Sequence, residues 1–354
     1  MGKALLIIGD RKINSRKLAP SFNTFVKNVK KFKKGDLEIW VINYKDVLTD
    51  NLPPIFSPVL NVMLFFPYEY WNKNIEVYKK DQRIYGDKKF GQEYEKFFER
   101  IEKVIRKRYR NKKIKYINPP KSSVLERDKK RSKNLFIKND IPTPKVFNIR
   151  ELKDIQRLIA QGTSLYIKPR FGAMGKGITY LKSDLMVTNF LFRKGKIISR
   201  PYDYNWRFSK IKEGDRNKLL KILISRGFIC EEAIEPPIAR GRRFDFRVYC
   251  IYGKIPYYYI KTMPGASPVT NWAQGGRIEK RKNFSKYISK AKIKMVKSLT
   301  RKVAKKLNLN YAGVDIIFSK DLRNVYVLEG HSFPGFEKRF NLMSYLARKV
   351  CTML

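Results

Sequence analysis

A glycine-rich segment near the middle of the chain constrains the local fold more than any other part of the sequence. Residues 168–178 read KPRFGAMGKGI, and Gly172, Gly175 and Gly177 lie within six positions of each other. An apolar run of strand type precedes the segment and another, 178–181, follows it. These flanks predict a glycine-rich hairpin between two strands, and they argue against the strand–loop–helix of a P-loop or a Rossmann fingerprint.

Such a hairpin is suited to anion binding. Glycines allow tight turns in which successive backbone N–H groups point at one oxyanion, and Lys168 and Lys176 add positive charge. The segment therefore predicts a phosphate site. An ordinary glycine hairpin carrying surface lysines is the alternative that the segment alone leaves open.

A second candidate site lies in a hairpin near the C-terminus. The apolar runs 313–318 and 325–329 flank a short turn, so pairing across it sets Asp315 opposite Glu329 or its neighbour. Glu329 and His331 are two residues apart and share a strand face. Two carboxylates that converge with an imidazole predict a divalent cation, Mg²⁺ or Mn²⁺, bridging to phosphates. Two exposed carboxylates at strand ends are the alternative.

A third signal is a strand of strictly alternating character. In residues 243–248, Arg243, Asp245 and Arg247 fall on one face and apolar residues on the other. Such a row is suited to hold a phosphoryl or carboxylate group, although a ladder of salt bridges is equally compatible with it. The polar loop 270–277 either covers a bound anion or only connects two elements.

The scarce residues exclude several kinds of chemistry. Hydrophobic residues make up 43% of 354, enough for two or three units that each bury a core. Cys230, Cys250 and Cys351 form no CxxC pair, which excludes a disulfide framework and suggests a reducing, cytoplasmic location. One histidine, His331, cannot supply a Ser-His-Asp triad or an HExxH zinc site at their motif positions. No apolar run approaches the roughly 20 residues of a membrane span, so no membrane partner is expected.

The net charge of +47, from 78 Lys and Arg against 31 Asp and Glu, must attract polyanions. One hypothesis is therefore a basic nucleic-acid-associated protein in which nucleotide binding is vestigial. No RRM, KH, helix-turn-helix or OB signature accompanies the charge, and a lysine-rich proteome would produce a similar excess.

The chain divides into three zones of α/β character. We expect an N-terminal α/β domain over 1–118 and two further units over 119–226 and 227–354. Amphipathic spacing predicts a helix from Ser123 to Asn139 and another in which Ile288, Ala291, Met295, Leu299, Val303 and Leu307 form the core stripe.

The motifs and their order resemble the ATP-grasp superfamily, within it the RimK-like amino-acid ligases and in places the YheC/YheD-type proteins. The resemblance covers residues 117 to about 337 and implies an ATP-grasp fold behind an N-terminal pre-ATP-grasp domain. It implies ATP-phosphate lysines at Lys129 and Lys168, a closing loop from Gly172 to Gly177, an adenine hinge at Glu231, Glu232 and Ile234, catalytic roles for Arg247 and Asn271, and metal ligands at Asp315, Glu329 and His331.

The activity implied by this resemblance is ATP-dependent carboxylate–amine ligation through an acyl phosphate, with ATP and Mg²⁺ or Mn²⁺ as cofactors. The substrates would be an acid and an amine, an acidic peptide or protein among them. An ATP-grasp kinase that phosphorylates a hydroxyl is the alternative. His331 stands where the family has asparagine, which suggests a site that favours a cation tolerant of nitrogen donors.

Overall fold

Three large β-sheets and the helices packed on them organise the chain. The structure is a computed structural model, and it describes residues 2–14, 17–76, 84–198, 206–265, 268–270, 276–279, 281–284, 286–335 and 340–354. Its mixture of helices and strands confirms the predicted α/β class. No helix in the described part has both the length and the apolar character needed to cross a bilayer.

The first unit is built on a four-stranded parallel sheet with strand order β2-β1-β3-β4. Its elements are β1 (Lys3–Ile8), α1 (Pro20–Phe32), β2 (Glu38–Ile42), α2 (Tyr44–Leu48), β3 (Val59–Leu64), α3 (Tyr68–Tyr70), a π-helical turn (Trp71–Ile75), α4 (Lys88–Arg108) and β4 (Lys113–Tyr116). Residues 4–8 of β1 are fully buried because apolar clusters cover both faces of the sheet. The strand order reverses between β1 and β3, so their carboxyl ends frame a crevice.

The second unit is a six-stranded sheet of order β11-β8-β7-β6-β12-β5 in which neighbouring strands are antiparallel. Its elements are α5 (Pro120–Arg127), α6 (Lys129–Lys138), β5 (Val146–Phe147), α7 (Leu152–Ala160), β6 (Leu165–Lys168), β7 (Thr179–Leu181), β8 (Met186–Thr188), β9 (Leu191–Arg193), β10 (Lys196–Ile198), β11 (Ser209–Lys210), α8 (Glu213–Ser225) and β12 (Ile229–Glu232). The glycine-rich segment joins β6 to β7, which confirms the predicted hairpin.

The third unit is a sheet of order β16-β15-β14-β17-β18, with β13 beside β14. Its elements are β13 (Ile238–Ala239), β14 (Arg242–Ile251), β15 (Lys254–Pro264), β16 (Arg277–Glu279), a 3-10 turn (Arg281–Phe284), α9 (Lys290–Lys306), β17 (Tyr311–Phe318), β18 (Val325–His331) and α10 (Leu342–Met353). The strands β17 and β18 form the predicted antiparallel hairpin, and Asp315 lies opposite Glu329.

The last helix returns to the first unit. Leu346 and Val350 of α10 pack in one apolar cluster with Phe25 and Val29 of α1. The strand β12, which follows the expected boundary at 226, pairs with β5 and β6. The division at 118 and 226 stays a prediction.

The single helix expected from Ser123 to Asn139 is wrong, because the chain forms two helices there. Asp128 has an extended conformation (φ −82°, ψ 95°), and its carboxylate accepts the backbone N–H groups of Lys130 and Arg131 at 3.1 and 3.2 Å. A residue that caps one helix in this way cannot continue the helix before it, so α5 ends and α6 begins at Asp128.

The expected core stripe of α9 is also partly wrong. Met295 is 48% exposed and Ala291 is exposed, whereas Val296, Thr300 and Val303 are buried. Thr300 donates its hydroxyl hydrogen to the Val296 carbonyl at 2.8 Å, so a polar residue fits the buried face without an unpaired group. The buried face of α9 includes a threonine, so a prediction from apolar residues alone places that face at the wrong angle around the helix.

Asn118 should be a strong determinant of stability, because it joins the end of the first unit to the third. Its amide donates to the carbonyls of Tyr311 (2.6 Å) and Ser332 (3.2 Å) and accepts from the Tyr311 N–H (3.0 Å). We expect Asn118→Ala to lower the free energy of unfolding by about 3 kcal/mol, since it leaves buried backbone groups unpaired.

Chemical denaturation measures this effect. Asn28→Ala is the control, since the Asn28 amide donates only to Thr24, a carbonyl of its own helix. Equal losses in the two variants would contradict the linking role of Asn118.

Candidate active site

A cavity of about 1110 Å³ lies where the three units meet. The predicted site residues that line it are Lys168, Gly175, Glu231, Glu232, Ile234, Arg247, Asp315, Glu329 and His331. They come from the second and third sheets and from two distant hairpins. The fold therefore brings most of the separate sequence signals to one place.

Two lysines hold Glu231 at the wall of the cavity. The Lys168 Nζ donates to Glu231 Oε2 at 2.9 Å, and the Lys133 Nζ lies 3.6 Å from Oε1. Burial alone would raise the pKa of Glu231, but the two ammonium groups hold it below its usual range. Burial lowers the pKa of Lys133 to about 8, although Glu231 opposes the shift. Lys168 stays charged beside the space where phosphates are predicted to bind.

Arg247 and Asp315 form a bidentate pair across β14 and β17. The guanidinium Nε and Nη2 donate to the two carboxylate oxygens at 2.7 and 2.8 Å, and the Lys261 Nζ donates to Oδ1 at 2.9 Å. Burial opposes ionisation of Asp315, but Arg247 and Lys261 hold its pKa well below the usual range. Lys261 also lies 3.1 Å from Asp245, which accepts a hydrogen bond from Thr270. The bidentate pair with Asp315 therefore fixes the orientation of the Arg247 guanidinium. Arg247 also lines the cavity.

Glu329 and His331 lie next to this network. The His331 Nε2 is 3.1 Å from Asp315 Oδ2 and 3.9 Å from Glu329 Oε2, while Lys129 is 3.5 Å from Glu329 Oε1. Burial would raise the pKa of Glu329, but Lys129, His331 and Lys168 lower it to about 2. The two predicted carboxylate ligands, Asp315 and Glu329, thus both lie beside the third predicted ligand, the His331 imidazole.

The donor set is less open to a metal than the sequence indicated. Both Asp315 oxygens already accept hydrogen bonds from Arg247, Lys261 and His331. Among the described residues, no group of three or more His, Cys, Asp or Glu side chains is arranged to hold an ion. Glu329 lies beside Lys129, and the His331 Nε2 contacts Asp315, so metal ligation by Asp315, Glu329 and His331 stays a prediction.

The glycine loop is positioned by contacts within the second unit. Lys129 Nζ donates to the Gly172 carbonyl at 2.5 Å, and Arg170 pairs with the helix-capping Asp128 through bonds of 2.7 and 2.6 Å. Gly177 has φ +73°, and a Cβ there would lie 2.6 Å from Phe190. Only glycine fits this turn.

Lys176, by contrast, does not line the cavity. Its ammonium is 2.5 Å from Glu76 of the first unit and lies over the rings of Tyr85 and Trp206, at 5.1 and 5.7 Å. Lys129, Gly172 and Gly177 also do not line the cavity. Asn271 lies outside the described residues. The phosphate and catalytic roles of these residues stay predictions.

Sequence reasoning missed three charged residues near the site: Lys133, Lys261 and Arg127. Lys133 lies one helical turn after Lys129, a signal available in the sequence. A bulge between Tyr249 and Ile251 shifts the register of β14 and β15, so Asp245 faces Lys261. A simple reflection about the turn would set Lys261 on the wrong face.

The comparisons with known proteins agree with this geometry. A model of the YheC/D-like ATP-grasp family matches residues 113–354, and the chain belongs to that family. The ATP-grasp membership expected from the motifs is therefore confirmed, while the RimK-like subtype stays a prediction.

Particular relatives are more distant. The tetrahydromethanopterin:alpha-L-glutamate ligase of Methanocaldococcus jannaschii is 25% identical over 230 residues, which are 65% of this chain and 66% of that protein, just under two thirds. A Chryseobacterium gregarium RiPP-associated ATP-grasp ligase, solved with ADP and a leader and core peptide, is 11% identical, with a TM-score of 0.58 over 100% of this chain and 98% of that one. The ATP-grasp ligase PsnB, solved with minimal precursor, Mg and ADP, is 14% identical, with a TM-score of 0.54 over 99% and 96%. These structures share the fold.

The carboxylate of Asp10, at the carboxyl end of β1, should destabilise the protein at neutral pH. Burial raises its pKa from 3.8 to about 6, although the Glu69 N–H lowers it and Lys73 opposes the shift slightly. Between these two values the folded state binds a proton that the unfolded state has lost, so stability falls as pH rises through this window. We expect Asp10→Asn to raise the free energy of unfolding by about 1–3 kcal/mol at pH 7.5 and by little near pH 4.

Urea denaturation at both pH values measures the difference. The control is Asp36→Asn, an exposed loop residue that should change stability little at either pH. A gain that is the same at pH 4 and pH 7.5 would rule out the burial of this charge as the cause.

Proposed function

We propose that the protein is an ATP-dependent ligase that joins a carboxylate to an amine through an acyl phosphate. The observation that carries the proposal is the convergence of Lys168, the Arg247–Asp315 pair and Glu329 on one cavity between the two ATP-grasp sheets. Family membership supports ATP as the cofactor. Fixed cations beside a cavity are what phosphoryl transfer requires, and the reaction needs no protein nucleophile.

ATP would lie with its adenine against Glu231, Glu232 and Ile234, which line the cavity at the end of β12. Its phosphates would extend toward Lys168, Lys129 and the glycine loop. The Lys168 ammonium is only 12% exposed and is fixed by Glu231, so little side-chain entropy would be lost when a phosphate binds. Asn271 of the TN…GG loop would complete the site.

In the proposed reaction, a carboxylate oxygen of the acid attacks the γ-phosphorus, and ADP leaves with the electrons of the bond that breaks. The amine then attacks the acyl carbon, loses a proton to solvent, and inorganic phosphate leaves. Arg247 would stabilise the charge on the transferred phosphoryl group. Asp315 acts by positioning that guanidinium, because the bidentate pair fixes its plane.

Glu329 and His331 are the residues that would hold a divalent cation, with Asp315 as the third proposed ligand. When bound, Mg²⁺ or Mn²⁺ would neutralise phosphate oxygens and orient the terminal phosphate. Mg in the PsnB structure supports the magnesium half of this proposal.

The substrates follow from chemistry shared with the relatives. One relative is named for ligation of glutamate, and one structural neighbour holds a peptide. The net charge of +47 favours an acidic partner, so we propose an acid and an amine, with an acidic peptide or protein among the candidates. The nucleic-acid alternative depends on the net charge alone, and the residues that line the cavity do not support it.

The ligase proposal makes a specific kinetic prediction. ADP release should require an acid and an amine together, and hydroxylamine should replace the amine to give a hydroxamate, because it traps an acyl phosphate. Lys168→Met should weaken ATP binding about tenfold or more and slow ADP release at subsaturating ATP, as expected when a buried charged hydrogen-bond partner is lost.

The assay screens acids and amines for ADP, with calorimetry of ATP binding for each variant. Lys182→Met is the matched control, since Lys182 pairs with Asp184 at the surface. Phosphate transferred to a hydroxyl, with no hydroxamate from any acid, would favour the kinase instead.

The histidine at the metal site predicts an unusual metal preference. Mg²⁺ demands oxygen ligands, whereas Mn²⁺ accepts an imidazole nitrogen more readily. Activity should be higher with Mn²⁺ than with Mg²⁺ at matched concentrations, and His331→Asn should narrow or reverse this preference while turnover continues. If the unaltered protein and His331→Asn show the same metal preference, His331 is not a metal ligand and only stabilises Asp315 through its hydrogen bond.

A further inference from the structure

Arg127 is a buried guanidinium that the ligase chemistry described above does not use. The residue is only 9% exposed and lines the cavity at the side of the first unit. Its charge lies against the rings of Phe66, Trp71 and Tyr94, at 5.5, 5.4 and 5.2 Å from their centroids. In the part of the chain that the structure describes, no carboxylate lies within ion-pair distance of it. Burial lowers the pKa of Arg127, but Tyr94 and the Glu126 carboxylate hold it above its usual range. Its Nε has no hydrogen-bond partner.

This arrangement is unusual for a structural arginine. A buried charge is costly unless a counter-ion and hydrogen bonds compensate it, and the π-faces of three rings supply only part of that compensation. A guanidinium that is only partly paired at the wall of a cavity therefore indicates an anionic ligand. Its planar array of donors matches a carboxylate.

Asp10 is a buried charge of opposite sign at the same end of the cavity. It follows β1 at the crevice where the order of the parallel strands reverses, and it is 5% exposed. One oxygen accepts the Glu69 N–H at 2.8 Å. The nearby Lys73 pairs with Glu69 at 2.6 Å and is largely exposed, so it does not neutralise Asp10 inside the cavity.

Tyr68 lines the same cavity and is close to both charges. Burial raises the pKa of its hydroxyl, Arg127 lowers it and Asp10 raises it further, so both charged groups are close to this ring. Tyr68 is in edge contact with Phe66, and Phe66 in turn contacts Phe333. Phe333 lies two residues after His331, the last residue of β18. Aromatic walls thus connect the charged pair with the strand that carries Glu329.

We infer that Arg127 and Asp10 form the two ends of a binding site for a zwitterionic α-amino acid. The carboxylate would bind Arg127, the ammonium would face Asp10, and Phe66, Tyr68 and Trp71 would contact the side chain. Among the described residues, Asp10 and Arg127 form no ion pair with each other, and both line the same cavity, so one ligand of opposite charges at its two ends would contact both. That this amino acid is a substrate rests on the proposed ligase function, whereas its binding does not.

The test measures binding of the twenty standard L-amino acids, one at a time, to the full-length protein without ATP, by saturation-transfer NMR and then calorimetry. At least one should bind. Its amide and its N-acetyl derivative should each bind about tenfold more weakly or worse, because each lacks one of the two charges. Arg127→Met, which keeps the apolar stem, should weaken the acid about tenfold and abolish its advantage over the amide.

Arg106→Met is the control, since Arg106 is an exposed arginine paired with Glu102 on α4. The inference is overturned if no amino acid binds a preparation that binds ATP, if the amide binds as tightly as the acid, or if folded Arg127→Met retains full affinity. The comparison of acid with amide uses the unaltered protein, so it decides even if the variant does not fold. Failure of ADP release would remove the ligase proposal and leave this binding result intact.

Discussion

The pairing of Asp315 with Arg247 and Lys261 is the interaction on which the rest of the site depends. All three side chains are largely buried on adjacent strands of one sheet, where an unpaired charge would cost several kcal/mol. The register of β14, β15 and β17 places them together, so the sheet and the charge network specify each other. Because Asp315 holds Arg247 from one side and His331 from the other, the proposed phosphoryl and metal sites share one carboxylate.

The parts of this site that depend on local pairing were predictable from the sequence. Reflection about the turn of the β17–β18 hairpin sets Asp315 opposite Leu328 or Glu329, and a register shift between Asp315 and Ile316 selects Glu329. The glycine-rich hairpin also follows from its own residues and flanks. In both cases a short turn brings the two strands together, but the exact partner of Asp315 also depends on the register shift.

The remainder depends on contacts that a single sequence does not reveal. The bulge near Tyr249 shifts one strand by a residue, and only that shift directs Lys261 toward Asp245. Lys176 resembles a phosphate ligand in its motif, yet Glu76, a hundred residues earlier, holds it at 2.5 Å. Arg127 reads as an ordinary helical arginine until the first unit brings three aromatic rings around it. The helix breaks at Asp128 because its side chain caps α6 instead of continuing α5, and the spacing of apolar residues gives no sign of this.

The packing of α10 on α1 has a consequence for the order in which the chain can fold during synthesis. Phe25 and Val29 of α1 leave the ribosome long before Leu346 and Val350, the residues of α10 that pack with them. Until α10 has been synthesised, the side of α1 that faces it has no native partner there, and a chaperone that binds apolar helices could occupy that side.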